Sequence, residues 1–417
     1  MEIKRDIYLN KLISHMHNGM IKVITGIYHC GKSYLLFNLF YDYLISNNIK
    51  EEQIIRLALD DRRNKKYRNP DELCNYVYNL VNDDHMHYIL LDEVQFVDEF
   101  EDVLNSFLHV KNVDVYVTGS NAKFLSKDII TEFRGRGDQI HIQPLTFAEF
   151  FSVYGGSKEE AWKEYIEYGG LPKIIDFKTH KEKIDYLNNI FSETYIKDIT
   201  SRYKIKNEPE LEELLDILAS SIGSATNPKK LSDTFKSVKN ISIHSLTLKK
   251  YIDYLTDAFI ISQAKRYDVK GKKYINTPAK YYFVDLGLRN ARLNFRQLEE
   301  SHLMENVIYN ELIARGFSVD VGVVEVNSKN KNGNFSIKQL EVDFVCNSGD
   351  KRYYVQSALT MPTREKTIQE QRPLMNINDS FKKIIIVKDV ISSWYTEEGI
   401  LIVSLFDFLL NPDVFNY

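Results

Sequence analysis

Cysteine is scarce in this chain. Cys30, Cys74 and Cys346 are the only three in 417 residues, and their wide separation makes neither a disulfide framework nor a zinc pattern. No apolar run approaches the ~20 residues that a bilayer span needs. The N-terminus, MEIKRDIYLNKLISHMHNG, carries charge in its first turns and holds no apolar signal core. Internal repeats and long low-complexity tracts are lacking too. These absences argue against a disulfide-stapled secreted domain and against a membrane-spanning chain. They predict a reducing, cytoplasmic setting. Positive charge is not in excess either: the formal net charge is -4, so the molecule as a whole is not a polyanion binder.

What is present is the balance of a soluble globular protein, with 44% hydrophobic and 27% charged residues. The length is that of about two or three domains. The first 146 residues alternate short apolar strands (Met20–Thr25, Ile54–Leu59, Tyr88–Leu91, Val113–Thr118, Gln139–Ile142) with amphipathic helices such as Ser33–Leu44 and Glu99–His109. Strand–helix alternation predicts α/β architecture with a doubly wound parallel sheet. Residues 147–223 read as a helical lid or linker. Residues 224–284 read as short helices followed by a hairpin with Gly271 at its tip, the order of a winged helix, with Ser245–Leu255 in the recognition position. Residues 285–417 return to mixed α/β: a helix at Met304–Arg315, strands at Leu340–Cys346, Arg352–Ser357 and Lys383–Val387, and a C-terminal helix. Asn327–Asn334 reads as an exposed loop.

Gly26-Ile27-Tyr28-His29-Cys30-Gly31-Lys32-Ser33 matches G-x-x-x-x-G-K-[ST] in full, after a buried strand and ahead of a helix that continues with Tyr34. The spacing serves a chemical purpose. The glycines let backbone N–H groups curl around a phosphate, Lys32 reaches its β and γ oxygens, and the Ser33 hydroxyl takes a Mg²⁺ position. The helix start adds its positive dipole end. Tyr88-Ile-Leu-Leu-Asp92-Glu93 places two acids at the end of an apolar strand. Asp92 suits the Mg²⁺ shell and Glu93 the attacking water. ATP and Mg²⁺ are the expected cofactors.

A third strand runs into Thr118-Gly-Ser120-Asn121, whose polar side chains are candidates for contact with the γ-phosphate or water. Arg134 and Arg136, just before the last strand of this region, are either a surface pair or a source of an arginine finger for a neighbouring subunit, which would imply a homo-oligomer. Between Asn227 and Phe283, twelve basic residues (Lys229, Lys230, Lys236, Lys239, Lys249, Lys250, Lys265, Arg266, Lys270, Lys272, Lys273, Lys280) face four acids (Asp233, Asp253, Asp257, Asp268), a local balance of +8. Such an excess is either a solvated face or a footprint for DNA.

These motifs, in this order, resemble the prokaryotic family of AAA+-superfamily ATPases that carry a C-terminal domain of unknown function with winged-helix and restriction-endonuclease-like parts. The resemblance runs over nearly the whole chain: RDIYLNKLISHMHNGMIKVITG, LLDEVQ, TGSNAKFLS, RGRGDQIHIQPLTFAEF, Tyr168-Gly-Gly-Leu-Pro172, YIKDITSRYKI, KYYFVDLGLRN, HLMENVIYNEL, EVDFV and YYVQSA. It implies an ATP site at Lys32, Ser33, Asp92 and Glu93, and it favours Arg136 over Arg134 as the finger. Relatives commonly carry an arginine inside the P-loop where this chain has Tyr28-His29. The resemblance also implies a nuclease-like metal site at Glu305, Asp343 and Gln356. There the second acid is a glutamine and the usual lysine position holds Ala358, so the cation position reads as empty. The expectation is therefore a Mg²⁺-dependent ATPase coupled to a C-terminal partner- or DNA-binding module. The alternatives are an ATP-driven nuclease in defence against foreign DNA and a non-hydrolysing, ATP-dependent interaction scaffold.

Overall fold

The computed structural model describes residues 3–119, 133, 135–239, 242–329 and 335–416. The chain divides into two compact units, Met1–Pro144 and Leu145–Tyr417.

In the first unit the described residues form a five-stranded sheet in the order β2-β3-β4-β1-β5. The strands are β1 (Ile21–Thr25), β2 (Ile54–Ala58), β3 (His87–Asp92), β4 (Val113–Thr118) and β5 (Gly137–His141). All pair in parallel. Every residue of β1 and β3 is buried, which explains why their sequences read as continuous apolar runs rather than alternating ones. Ile89, Leu91, Val115 and Val117 pack in one core with Leu104 and Phe107 of the helix Phe100–Phe107. The last strand begins two residues earlier than the sequence pattern indicates, at Gly137. The helix after β1 starts at Lys32, widens into a π turn over Leu35–Phe40 and resumes over Tyr41–Ser46, rather than running evenly over Ser33–Leu44. Because β4 lies between β1 and β3, its last residue, Thr118, stands between the P-loop and Asp92.

The second unit opens with helices. Those at Phe147–Tyr154, Lys158–Tyr168 and His180–Ile190 each start from a Ser/Thr-x-x-Glu capping box, with Thr146/Glu149, Ser157/Glu160 and Thr179/Glu182. Tyr168-Gly-Gly-Leu-Pro172 packs against Asp285, whose buried carboxylate accepts the Gly170 N–H at 2.7 Å and caps the helix Leu286–Arg292 through Leu288 N–H at 3.0 Å. A Cβ on Gly169, at φ +77°, would lie 2.3 Å from that carboxylate. Burial raises the Asp285 carboxyl to about 6 despite the backbone N–H groups of Gly170, Leu288, Gly287 and Leu171, which pull it down. The two segments are thus a structural clasp.

The described strands of this unit form one sheet in the order β12-β13-β11-β10-β9-β8-β6-β7. They are β6 (Ile261–Asp268), β7 (Lys273–Phe283), β8 (Ser318–Lys329), β9 (Phe335–Ser348), β10 (Lys351–Ala358), β11 (Lys382–Val387), β12 (Trp394–Tyr395) and β13 (Leu401–Ser404). The hairpin β6–β7 therefore does not end a separate module at 284. Its strand β6 lies parallel to β8, with Arg266 opposite Val321 and Asp268 opposite Val323. The open edge of β6 offers backbone groups that β8 satisfies. Asn327, Ser328 and Lys329, read as loop, belong to β8, and residues 330–334 lie outside the described segments. Among the described residues no helix is long and apolar enough to cross a membrane.

Candidate active site

The P-loop is held from behind. Arg5, itself 2% exposed, donates Nη1 to the Cys30 carbonyl at 2.9 Å and Nη2 to the Gln143 carbonyl at 2.7 Å. The Tyr8 hydroxyl takes the Gln143 N–H at 3.1 Å. Gly26 leaves no room for a side chain, since a Cβ there would lie 2.5 Å from the Ile142 carbonyl oxygen and 2.9 Å from Cys30 Sγ. Gly31, at φ +99°, turns the chain into the helix that starts at Lys32. Two different glycine requirements are therefore met at the two glycine positions of the motif.

A cavity of about 690 Å³ opens at the C-terminal edge of the sheet, lined by Tyr28, His29, Gly31, Lys32, Ser33, Tyr34, Asp60, Asp92, Glu93, Gln95 and Phe96. The Lys32 ammonium donates to the carbonyls of Gly26 and Ile27 at 3.1 and 3.0 Å and sits 5.7 Å from the centre of the Tyr28 ring. Tyr28 thus adds a cation–π contact to the lysine. His29 adopts a left-handed backbone at φ +59°. Burial and the Lys32 charge hold its imidazole below its usual range, against a weaker opposing pull from Glu93.

Asp92 is almost fully buried, and its Oδ1 accepts from two hydroxyls, Ser33 at 3.0 Å and Thr118. Burial pushes its carboxyl above the ordinary range, the two hydroxyls pull it down, and the charges of Glu93 and Asp60 push it up again. Glu93 lies in the left-handed region at φ +54°, and its backbone N–H donates to Thr118 Oγ1 at 3.0 Å. A non-glycine residue held there costs roughly 1–2 kcal/mol, so the turn that re-aims Glu93 is a built feature.

Of the residues marked from sequence, the structure brings Tyr28, His29, Gly31, Lys32, Ser33, Tyr34, Asp92 and Glu93 to one cavity. Gly26, Ile27 and Cys30 lie behind its wall and contribute backbone. Ser120, Asn121 and Arg134 lie outside the described residues. Arg136 is exposed and flanks the start of β5, where its carbonyl accepts the Ile21 N–H at 2.9 Å. The P-loop leaves β1 at the other end, opposite His141. That separation is ~15 Å along the strands, beyond the reach of an arginine to the P-loop of its own chain. Sequence reasoning missed Arg5, Asp60 and Gln95. Asp60 had a findable signal: it follows β2, the parallel neighbour of β3, in the register that pairs Ala58 with Asp92.

The second candidate cluster lies in the other unit. Glu305 comes from the helix Glu300–Ala314, Glu341 and Asp343 from β9, and Gln356 from β10. In the sequence reading Ala358 leaves the usual lysine position without a cation; the acids nevertheless receive one from another strand. Lys280 of β7, counted there among the basic surface, is 4% exposed and pairs with Glu305 at 2.9 Å and Glu341 at 2.8 Å. Tyr282 donates to Glu305 at 2.7 Å. Asp343 accepts the Ser357 N–H at 2.8 Å, and its own N–H reaches Gln356 Oε1 at 3.4 Å. Burial and the Glu305 charge hold the Asp343 carboxyl well above its usual range, with Lys280 opposing. Ala358 is packed among Tyr354, Leu374 and Ile385. Among the described residues no three His, Cys, Asp or Glu side chains gather where they would hold a metal ion.

Residues 18–151 match the family described as an AAA domain, and residues 159–299 match a domain of unknown function. An uncharacterized protein of Haemophilus influenzae is 32% identical over 417 residues, with 98% of each chain covered. The chain belongs to this family of AAA-domain proteins. A second relative in Methanocaldococcus jannaschii is 30% identical over 363 residues, 82% of this chain and 74% of its own. Among solved structures, the Aeropyrum pernix ORC1 protein in complex with DNA aligns with a TM-score of 0.31 and 11% identity, over 70% of this chain and 93% of that one. The C. elegans PCH-2 structure aligns with a TM-score of 0.27 and 14% identity, over 60% and 65%. An AAA domain implies nucleotide binding.

Proposed function

We propose that this AAA-domain protein is a Mg²⁺-dependent ATPase whose nucleotide state governs a C-terminal module that contacts DNA. The carrying observation is Asp92 receiving both the Ser33 and Thr118 hydroxyls beside Lys32. That donor set fits a magnesium-bound nucleotide: a buried carboxylate, a hydroxyl already aimed at it, and an ammonium at the mouth of a glycine-bounded loop. When bound, Mg²⁺ would neutralise charge on the β and γ phosphates. Lys32 would hold the phosphate oxygens, Ser33 and Asp92 would hold the metal, and Glu93 would take a proton from water. A scaffold that never hydrolyses has no use for Glu93.

For the C-terminal module the supporting order is the helix Glu208–Ser220, a bridge between Thr226 and Ala279, the helices Pro228–Lys239 and Ser245–Asp257, then the hairpin β6–β7. This is winged-helix order. Lys249 and Lys250 on the third helix and Lys272 and Lys273 at the hairpin tip are exposed, as groove binding requires. Arg136 remains a candidate finger only toward a second copy. The remaining β8–β11 region carries the nuclease-like strands, and its acids are engaged by Lys280.

The deciding experiment is turnover of ATP by the purified protein with Mg²⁺, alone and with single- or double-stranded DNA. Hydrolysis that DNA stimulates supports the reading; a wild-type protein that binds no nucleotide would falsify it. The variant with Lys249, Lys250, Lys272 and Lys273 all changed to Gln should bind DNA more weakly and with a flatter salt dependence. Unchanged DNA retention would remove DNA from the reading and leave the ATPase. An equimolar mixture of Arg136→Ala and Lys32→Ala proteins that regains turnover would support a shared site.

A further inference from the structure

Of the nucleotide loop's carbonyls, those of Gly26 and Ile27 accept from Lys32, and that of Gly31 accepts the Leu35 N–H at 2.9 Å. The Cys30 carbonyl is held instead by Arg5, a side chain 25 positions earlier. A trans peptide is planar, and its C=O and N–H point in opposite directions. With the Cys30 oxygen drawn to 2.9 Å from Arg5 Nη1, the Gly31 N–H is turned away from Arg5. Arg5 is buried and does not line the cavity, whereas Gly31 does, between Lys32 and Ser33 on one side and His29 on the other. Gly31 itself, at φ +99° and without a Cβ, offers little resistance to rotation of that peptide. Rotated, the peptide would present an acceptor oxygen to the phosphates in place of a donor.

Arg5 is fixed in turn. Its own carbonyl accepts the Tyr8 and Leu9 N–H groups at 3.0 and 2.9 Å at the start of the helix Asp6–Ser14, which Tyr8 and Leu12 anchor by burial. Its guanidinium lies 4.8 Å from the centre of the Tyr8 ring, and its second arm holds the Gln143 carbonyl. We propose that Arg5 is a positioning residue for phosphate binding, which locks the Cys30–Gly31 peptide with its N–H toward the cavity. The inference rests on the nucleotide-binding reading above. A guanidinium is always charged, and a charged donor on the carbonyl polarises the peptide, so its N–H becomes a stronger donor to an anion. Arg5 precedes residues 18–151, which match the AAA domain, so a phosphate donor of that domain is aimed from outside it.

Cys30–Gly31 is the one Cys-Gly step in the sequence. Labelling cysteine carbonyls with ¹³C and glycine with ¹⁵N therefore isolates the signal of this peptide. The test compares wild type, Arg5→Met, Arg5→Lys and the core variant Val77→Ala, which lies outside the cavity lining. Two quantities are read: the Gly31 amide proton frequency with and without saturating Mg²⁺–ADP, and the affinity for Mg²⁺–ADP. In wild type the amide proton should move downfield when ADP binds. Arg5→Met should shrink that shift and lower affinity by ~10–10²-fold, the scale of one hydrogen bond to a charged group. Arg5→Lys keeps the charge without the two-armed fork and should fall between. Val77→Ala should lower the thermal midpoint and keep both readings. Wild-type shift and affinity in Arg5→Met, or in Arg5→Lys where Arg5→Met does not fold, overturn this inference and leave nucleotide binding in place. So does affinity lost with the Gly31 shift unchanged, an equal loss in Val77→Ala, or a wild-type Gly31 amide that ADP does not move. A wild-type protein that binds no nucleotide overturns both.

Discussion

Two groups of acids in this chain have opposite surroundings. Asp92 and Glu93 face a cavity, and Lys32, which lines the same cavity, donates to backbone carbonyls. Glu305 and Glu341 face a lysine that is already theirs. In the first group the charge is held ready for something that enters. In the second it is cancelled inside the fold. The difference shows that clustered carboxylates are not by themselves a site; what matters is whether their counter-charge is built in.

The largest contrast comes from removing each lysine. Lys32→Ala should abolish measurable nucleotide binding or turnover, because the phosphates lose their main cation, while the thermal midpoint changes by no more than a loss of ~1 kcal/mol implies. Lys280→Met should do the reverse. It leaves the partly buried Glu305 without its cation, while Glu341 is exposed, so stability should fall by no more than about 3–5 kcal/mol, with nucleotide affinity in the first unit kept. A Lys280→Met protein that melts like wild type would show that the pair contributes nothing. The pH dependence sharpens this. Asp343, already held above its usual range, loses the lysine's lowering influence and moves further up. Wild type and variant share the unfolded value and differ only in the folded one, so the part of the Lys280→Met deficit that comes from Asp343 should shrink as pH falls from the variant's higher folded value to the wild-type folded value.

The next effect is smaller. Asp92 is held above the ordinary carboxylate range chiefly by burial, yet it must be ionised to hold a metal. Binding of magnesium–nucleotide should therefore release a proton, and affinity should drop as pH falls through the shifted value, by at most ~10-fold per pH unit. Asp92→Asn should bind more weakly and lose that part of the dependence. A wild-type affinity with the same pH profile as Asp92→Asn would remove Asp92 from the metal shell.

The two groups also differ in how legible they are. The P-loop and the Asp92-Glu93 pair lie in contiguous segments, and each strand they terminate is buried on both faces, so local pattern alone places them at the ends of buried strands of one parallel sheet, although the two strands are not adjacent as the sequence reading had them. Thr118 followed once the strand order put β4 between the other two. The second group draws on β7, a helix, β9 and β10. No local pattern links Lys280 to Glu305 or Glu341, and by charge alone Lys280 looks like the eleven other basic residues around it. Arg5 was invisible for the same reason: its partners are the carbonyls of Cys30 and Gln143, which carry no side-chain signature. The β8 strand was not assigned from sequence at all, and its end from Asn327 was read as loop because polar residues on an exposed ladder look like one.

The smallest expected effect is none at all. Purified protein with ATP and Mg²⁺ or Mn²⁺ should leave supercoiled plasmid intact, a substrate that reports a single nick. Phosphodiester cleavage at such a site needs carboxylates free to hold a divalent ion and a cation beside the scissile phosphate. Lys280 satisfies Glu305 and Glu341 from within, so an incoming metal must first displace a buried ammonium whose release leaves it unpaired. Burial alone would lower that ammonium's pKa, but Glu305, Asp343 and Glu341 together hold it above its usual value, so it stays charged and bound. Gln356 adds no charge, and Ala358 is committed to the apolar core beside Tyr354 and Leu374. Asp343 is biased toward its protonated form, which binds metal poorly. Each of these opposes the same step, the entry of the ion. Metal-dependent nicking that disappears in Asp343→Ala would mean that Lys280 swings out and serves as the catalytic cation, and the comparison between the two acid groups would collapse into a single principle of open sites.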